Sequence, residues 1–139
     1  MPSVSQRRSK TISYYFAKTL SDKGFDDVVA LVTDALQNEG FGILTEIDVR
    51  ATMKKKLDKD FRDYRILGAC NPPLALQALQ AEDKIGTMLP CNVIVQATEG
   101  GVEVAAVDPS ASMQAVENAE LARIAATVRD RLKHVIETL

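Results

Sequence analysis

Two short segments of the sequence each place a cysteine directly before an asparagine. Residues 68–73 read GACNPP and residues 89–92 read LPCN, and together these contain both cysteines of the chain. A thiolate is a nucleophile and a soft metal ligand, and an asparagine amide both donates and accepts hydrogen bonds. Each segment also falls where a predicted strand meets a bend or a helix. The candidate binding residues are therefore Cys70, Asn71, Cys91 and Asn92.

The chemistry open to the cysteines depends on how their strands are arranged. If these strands are antiparallel neighbours, Cys70 and Cys91 lie at adjacent strand ends and can form a redox pair or bind a soft metal together. If the strands are parallel, the two thiols lie at opposite ends of the sheet. Cys70 can also act alone as a reactive thiol, or both residues can be buried hydrophobic side chains, the usual role of a free cysteine. The sequence leaves these alternatives open.

The other side chains do not add up to a metal or cofactor site. Structural zinc takes four ligands at short spacings, whereas this chain has two distant cysteines and a single histidine, His134, in the predicted last helix. No glycine-rich phosphate-binding motif is present. Glu46 and Asp48 alternate on one predicted strand, and pairing with a nearby arginine or with solvent explains them without catalysis. We predict no metal, no cofactor and no catalytic residue.

Hydrophobic periodicity predicts the element order β-α-β-(α)-β-α-β-β-α. The predicted strands cover residues 12–20, 41–50, 64–70, 91–98 and 102–107, and the predicted helices cover 25–39, 52–61, 72–82 and the apolar stripe at 121–139. Asn71 and Pro72 suit the cap and the first turn of the third helix. A hairpin combined with helical crossovers indicates the α+β class: a curved, mostly antiparallel five-stranded sheet with helices packed on one face.

The composition describes one ordinary globular domain. The 139 residues are 46% hydrophobic, carry a net charge of −2 and contain no apolar run near the roughly 20 residues that span a bilayer. We expect a single domain at residues 12–139 behind a disordered tail at 1–11, with no nucleic-acid or membrane partner. The tail lacks the apolar core of a secretory signal, so we expect a reducing cytoplasm and no structural disulfide. The high hydrophobic fraction and the long apolar stripe of the last helix favour a homodimer, and a well-filled core is the alternative explanation of both.

Three segments resemble a known family. Residues 40–49 (GFGILTEIDV), 64–72 (YRILGACNP) and 89–93 (LPCNV) look like the hallmark segments of domain-of-unknown-function family 302, in order, within a match that covers about residues 13–139. The resemblance implies a small α+β domain, often dimeric, with an architecture similar to the TATA-binding-protein-like fold. It implies no activity, and a shared fold does not imply DNA binding. Because the first segment contains Asp48, we add this residue to the candidate binding residues.

Three functional hypotheses follow from these observations. The first is a non-enzymatic domain that binds an unidentified small molecule between the sheet and the helix beginning at Asn71, with Cys70 near the pocket. The alternative is a thiol–disulfide or sulfur-transfer protein in which Cys70 attacks and Cys91 resolves. The third is a partner-binding module that uses the lysine-rich segment at residues 54–59 or an exposed apolar stripe on the last helix.

Overall fold

The computed structural model describes residues 13–139. The strands are β1 (Tyr15–Leu20), β2 (Gly42–Asp48), β3 (Tyr64–Cys70), β4 (Cys91–Thr98) and β5 (Gly101–Val107). The helices are α1 (Phe25–Asn38), α2 (Val49–Leu57), α3 (Pro72–Ala81), the four-residue α4 (Pro109–Ser112) and α5 (Ala119–Glu137), with a short 3-10 helix at Ile85–Met88. The predicted tail at residues 1–11, and Ile12 of the predicted first strand, lie outside the described residues.

The five strands form one antiparallel sheet in the order β1-β5-β4-β3-β2. Successive side chains of a strand point to opposite faces, and on β4 and β5 one set is buried. That set consists of Cys91, Val93, Val95, Val102, Val104 and Ala106. The predicted α+β class, with an antiparallel five-stranded sheet and helices against its buried face, is confirmed.

The helices bury two apolar clusters against this face. The larger cluster joins the sheet to α1 and to the second half of α5. The smaller one joins α3, the 3-10 helix and the first half of α5, and its buried members are Ala78, Ile85, Met113, Leu121, Ile124 and Ala125. Val128 of α5 packs against both clusters. The apolar stripe of α5 is therefore covered within the chain, which argues against a partner covering it.

The predicted second helix is shifted towards the N-terminus. It begins at Val49 rather than near residue 52, because the Asp48 side chain accepts a hydrogen bond of 2.9 Å from the backbone N–H of Ala51. It ends where Asp58 adopts a left-handed conformation with φ of 53°. α2 carries no buried side chain, and its last residue, Leu57, is 62% exposed.

Asn71 starts α3 as the sequence predicts. Its side-chain oxygen accepts a hydrogen bond of 3.3 Å from the backbone N–H of Leu74, and the two prolines after it occupy the first helical positions. Proline costs little there, since the first N–H groups of a helix have no intrahelical partner. The chain therefore turns directly from the end of β3 into α3.

Close packing at Gly68 of β3 holds β2 and the segment before β4 together. A methyl group at Gly68 would lie 2.1 Å from Thr45 Oγ1 and 2.7 Å from Pro90 Cγ. Gly68→Ala should therefore lower the free energy of unfolding by about 1–3 kcal/mol, the usual range for overpacking. Gly42→Ala is the matched control, because a methyl group at Gly42 meets nothing within 4 Å. Urea denaturation of both variants measures the difference, and equal free energies of unfolding would contradict the prediction.

Candidate functional site

An apolar cavity of about 320 Å³ lies between the sheet, α3 and α5. It is open to solvent on one side. Its walls come from the starts of β2 and β4, the end of β3, α3, the 3-10 helix, α4 and α5. Several wall positions are small, among them Ala69, Ala78 and Ala125, which are all buried. Larger side chains at these positions would occupy the same space, so the cavity depends on the small residues around it.

Three of the candidate binding residues line this cavity: Cys70, Asn71 and Cys91. The pairing of Ala69 with Cys91 explains why they come together. Since β3 and β4 are antiparallel, the end of β3 and the cap of α3 lie beside the start of β4. Neither cysteine is in a disulfide; Cys70 is half-buried and Cys91 is buried.

The structure does not bring Asn92 and Asp48 to the cavity, contrary to our expectation. Asn92 follows Cys91 in the same strand and so points to the opposite face, where it is exposed and lines a shallow hollow with Tyr64. Asp48 lies at the far end of β2, caps α2 and sits 3.7 Å from Arg65. Arg65 also donates a hydrogen bond of 2.8 Å to Glu46. Both carboxylates thus serve local structure.

Burial changes the chemistry of the Cys91 thiol. Removal from water disfavours the thiolate and, together with the neighbouring Cys70, raises the pKa of Cys91 to about 11. At neutral pH the thiolate fraction of Cys91 is then on the order of one in ten thousand. Thiolates, not thiols, attack disulfides and bind soft metals. The raised pKa therefore disfavours Cys91 as a resolving cysteine.

Asn71 is the most buried polar group on the cavity wall. The residue is 7% exposed, and its side-chain oxygen is committed to capping α3. Its amide nitrogen, Nδ2, has no hydrogen-bond partner among residues 13–139. Nδ2 lies beside Gly40, where φ is 84° and an added methyl group would be 2.9 Å from it. A side chain at residue 40 would therefore both strain the backbone and cover this donor.

Sequence reasoning located one wall of the cavity and missed the others. Met113, Leu121 and Ile124 line it from α4 and α5, far along the chain from the cysteines. The burial of Leu121 and Ile124 followed from the apolar stripe of the last helix, but no local signal connects that stripe to residues 70–71. Gly40, the residue after the predicted first helix, entered only as the start of the family segment at residues 40–49.

Sequence comparison places these features in a family. Residues 16–139 match the family described as "Domain of unknown function DUF302". The chain belongs to this family. A crystal structure described as "uncharacterized conserved protein DUF302 from Bacillus stearothermophilus" is 25% identical, covers 91% of this chain and 98% of its own, and superposes with a TM-score of 0.84. No curated protein matches the chain. The predicted resemblance is confirmed, and the family has no assigned activity.

Two further findings concern the whole described chain. None of the helices in residues 13–139 is long and apolar enough to cross a membrane. Within the same residues, no three or more His, Cys, Asp or Glu side chains are grouped so that they could hold a metal ion.

The raised pKa of Cys91 predicts a specific loss of stability in alkali. Below pH 9 the thiol is protonated in both the folded and the unfolded chain, whereas between pH 9 and 11 the unfolded chain loses its proton first. The free energy of unfolding should therefore fall by roughly 2–3 kcal/mol across this window relative to the Cys91→Ala variant. Urea denaturation at several pH values measures the difference. Parallel pH profiles for the two proteins would contradict the shift.

Proposed function

We propose that this DUF302 protein binds a small, mostly apolar molecule in the cavity between the sheet and α3, and that it does so without catalysing a reaction. The cavity itself supports the proposal most directly. Its volume of about 320 Å³ is at the lower end of the range for small-molecule sites, and its wall is apolar with few polar groups. Buried apolar surface would supply the affinity, and the polar groups would set the orientation.

The small wall residues support the same proposal. Protein interiors are close-packed, and an apolar space of this size forgoes contacts that larger side chains would make. Ala78 of α3 and Ala125 of α5 both line this space, and they are only 4% and 3% exposed, respectively. A bound apolar molecule would restore the missing contacts. A bound molecule would thus offset the packing energy that the folded protein loses around the empty cavity.

Cys70 is the thiol that we assign to the ligand. It lines the cavity and is half-buried, so a bound molecule and a reagent from solvent can both reach it. Cys91 lies deeper and remains a protonated thiol at neutral pH. In this proposal Cys91 is a wall residue, and Cys70 is the polarizable contact at the edge of the cavity.

A thiol–disulfide or sulfur-transfer protein is the second candidate. The antiparallel neighbourhood of Cys70 and Cys91 favours it, since this was the arrangement that such chemistry requires. The raised pKa of Cys91 argues against it, because a resolving cysteine must attack as a thiolate. Incubation with glutathione redox buffers, followed by mass spectrometry, tests it: a reversible intramolecular disulfide would support this candidate over simple binding.

A homodimer in a reducing cytoplasm also belongs to the proposal. The buried stripe of α5 no longer argues for a dimer, but the face of the sheet opposite the helices offers another surface. Ile47, Ile66 and Ile94 are register neighbours there and belong to neither buried cluster. Ile47 is 47% exposed. Sedimentation equilibrium tests the homodimer, and a protein that stays monomeric at high concentration would contradict it.

Filling the cavity should abolish binding. Ala125→Leu places a larger side chain in the space, and we expect at least a tenfold loss of affinity for the neutral fluorescent probe N-phenyl-1-naphthylamine. Ala126→Leu is the matched control, because the neighbouring residue on α5 is exposed. Ala78→Leu narrows the cavity from α3 and serves if the first variant is unstable. Failure of the probe to bind the unmodified protein would refute an apolar site.

Substitution of each cysteine in turn separates the roles of the two thiols. Cys70→Ser should weaken binding of the same probe a few-fold, since it replaces a polarizable sulfur at the cavity edge by a hydroxyl. Cys91→Ala should alter stability more than affinity, because Cys91 is 8% exposed and packs in the larger cluster. Fluorescence titration, with a thermal melt for each variant, measures both effects. Unchanged affinity in folded Cys70→Ser would remove the thiol from the proposal.

A further inference from the structure

We infer that the molecule bound in the cavity is an amphipathic carboxylate, with its apolar part inside and its carboxylate held by Asn71 and Arg131. This inference rests on the proposed function, because it assumes that the cavity is occupied. It adds the chemical class of the ligand and a second binding residue, Arg131 of α5, which no sequence pattern had indicated.

The first observation is the uncommitted donor on Asn71. The hydrogen bond from the Leu74 N–H identifies the capping atom of Asn71 as its oxygen, which leaves Nδ2 as the free end of the amide. Among residues 13–139 Nδ2 makes no hydrogen bond, and because no fully buried side-chain nitrogen or oxygen of these residues lacks a partner, Nδ2 is open to solvent. It can therefore donate to a molecule that enters from solvent. An acceptor atom of a ligand would take the place of water on this donor.

The second observation is the guanidinium group of Arg131. A methyl group built on Gly40 would lie 2.9 Å from Asn71 Nδ2 and 3.7 Å from Arg131 Nη1, so both donors border the same small space. The absence of a side chain at Gly40 keeps this space open. Two donors without an acceptor between them repel each other weakly, and an anion placed there would bind to both.

Among residues 13–139 the arginines fall into two groups: three form ion pairs, whereas Arg62, Arg123 and Arg131 form none. Arg50, Arg65 and Arg129 each lie within 3.3 Å of a carboxylate of the chain. Arg131 forms no ion pair with any of residues 13–139, and its side chain is exposed on α5. Its charge is therefore available to a ligand, and a planar guanidinium suits the two oxygens of a carboxylate.

Asn71 belongs to the wall of the apolar cavity, and Arg131 lies beside it across Gly40. Asn71 lines the cavity, and so does Phe41, the residue that follows Gly40. Val128, which precedes Arg131 by one turn of α5, lines it too. A single molecule can therefore place an alkyl or aryl group among the apolar side chains and its carboxylate between Asn71 and Arg131. A fully apolar molecule would make no hydrogen bond with the Asn71 donor.

A pair of ligands that differ in charge tests the inference. Octanoate and octanamide have the same chain and nearly the same shape, and isothermal titration calorimetry gives the affinity of each. We expect octanoate to bind at least tenfold more tightly. Equal affinities would overturn the carboxylate assignment and leave the apolar site standing. If neither binds while N-phenyl-1-naphthylamine does, the assignment also falls; if the neutral probe fails as well, the proposed function falls with it.

Variants of the two donors locate the effect. Arg131→Gln should remove most of the preference for octanoate, whereas Lys133→Gln, an equal loss of charge at an exposed position on the same helix, should preserve it. Asn71→Asp keeps an oxygen to cap α3 but replaces the amide donor by a carboxylate. It should weaken octanoate and leave octanamide within about twofold. An unchanged preference in folded Arg131→Gln would overturn the inference.

Discussion

The antiparallel pairing of β3 with β4, in the register that sets Ala69 opposite Cys91, is the constraint on which the rest of the site depends. It brings the end of one strand to the start of the next, so that a helix cap and two thiols share one edge of the sheet. It also decides by parity which residues face the helices. A shift of one residue would turn Cys91 outwards and Asn92 inwards, and would remove the buried wall of the cavity.

Packing around this edge combines tight and open regions within a few residues. At Gly68 the side chains of Thr45 and Pro90 come so close that a single methyl group would collide with both. On the other face of the same strand, Ala69 borders a space of about 320 Å³. The contrast indicates that the open space is not general looseness of a small domain. It lies where the helices of the smaller cluster meet the sheet, and tight packing of β2, β3 and Pro90 supports its rim.

The sequence predicted the features that depend on local side-chain chemistry and on hydrophobic periodicity. The Asn-Pro cap of α3 and the approximate place of the pocket follow from residues 64–82, and the element order follows from periodicity along the whole chain. Asn92 could not be assigned to the outer face from sequence. Adjacent residues of a strand point to opposite faces, and the register with β3 and β5 determines which of Cys91 and Asn92 faces the helices. Arg131 and Gly40 could not be paired, because their proximity arises from the docking of α5 against the turn after α1. The start of α2 was missed because Asp48 was considered as a candidate ligand rather than as a cap.

The course of α5 has one more consequence. This helix belongs to the smaller cluster through Leu121 and Ile124 and to the larger one through Leu132 and Val135, and the cavity lies where the two meet. A molecule in the cavity would touch both clusters and complete the apolar interior between them. It would then be a component of the folding equilibrium, so that the stability of the domain would rise with the concentration of its ligand. The abundance of the protein and the supply of the small molecule would be linked without any regulatory surface.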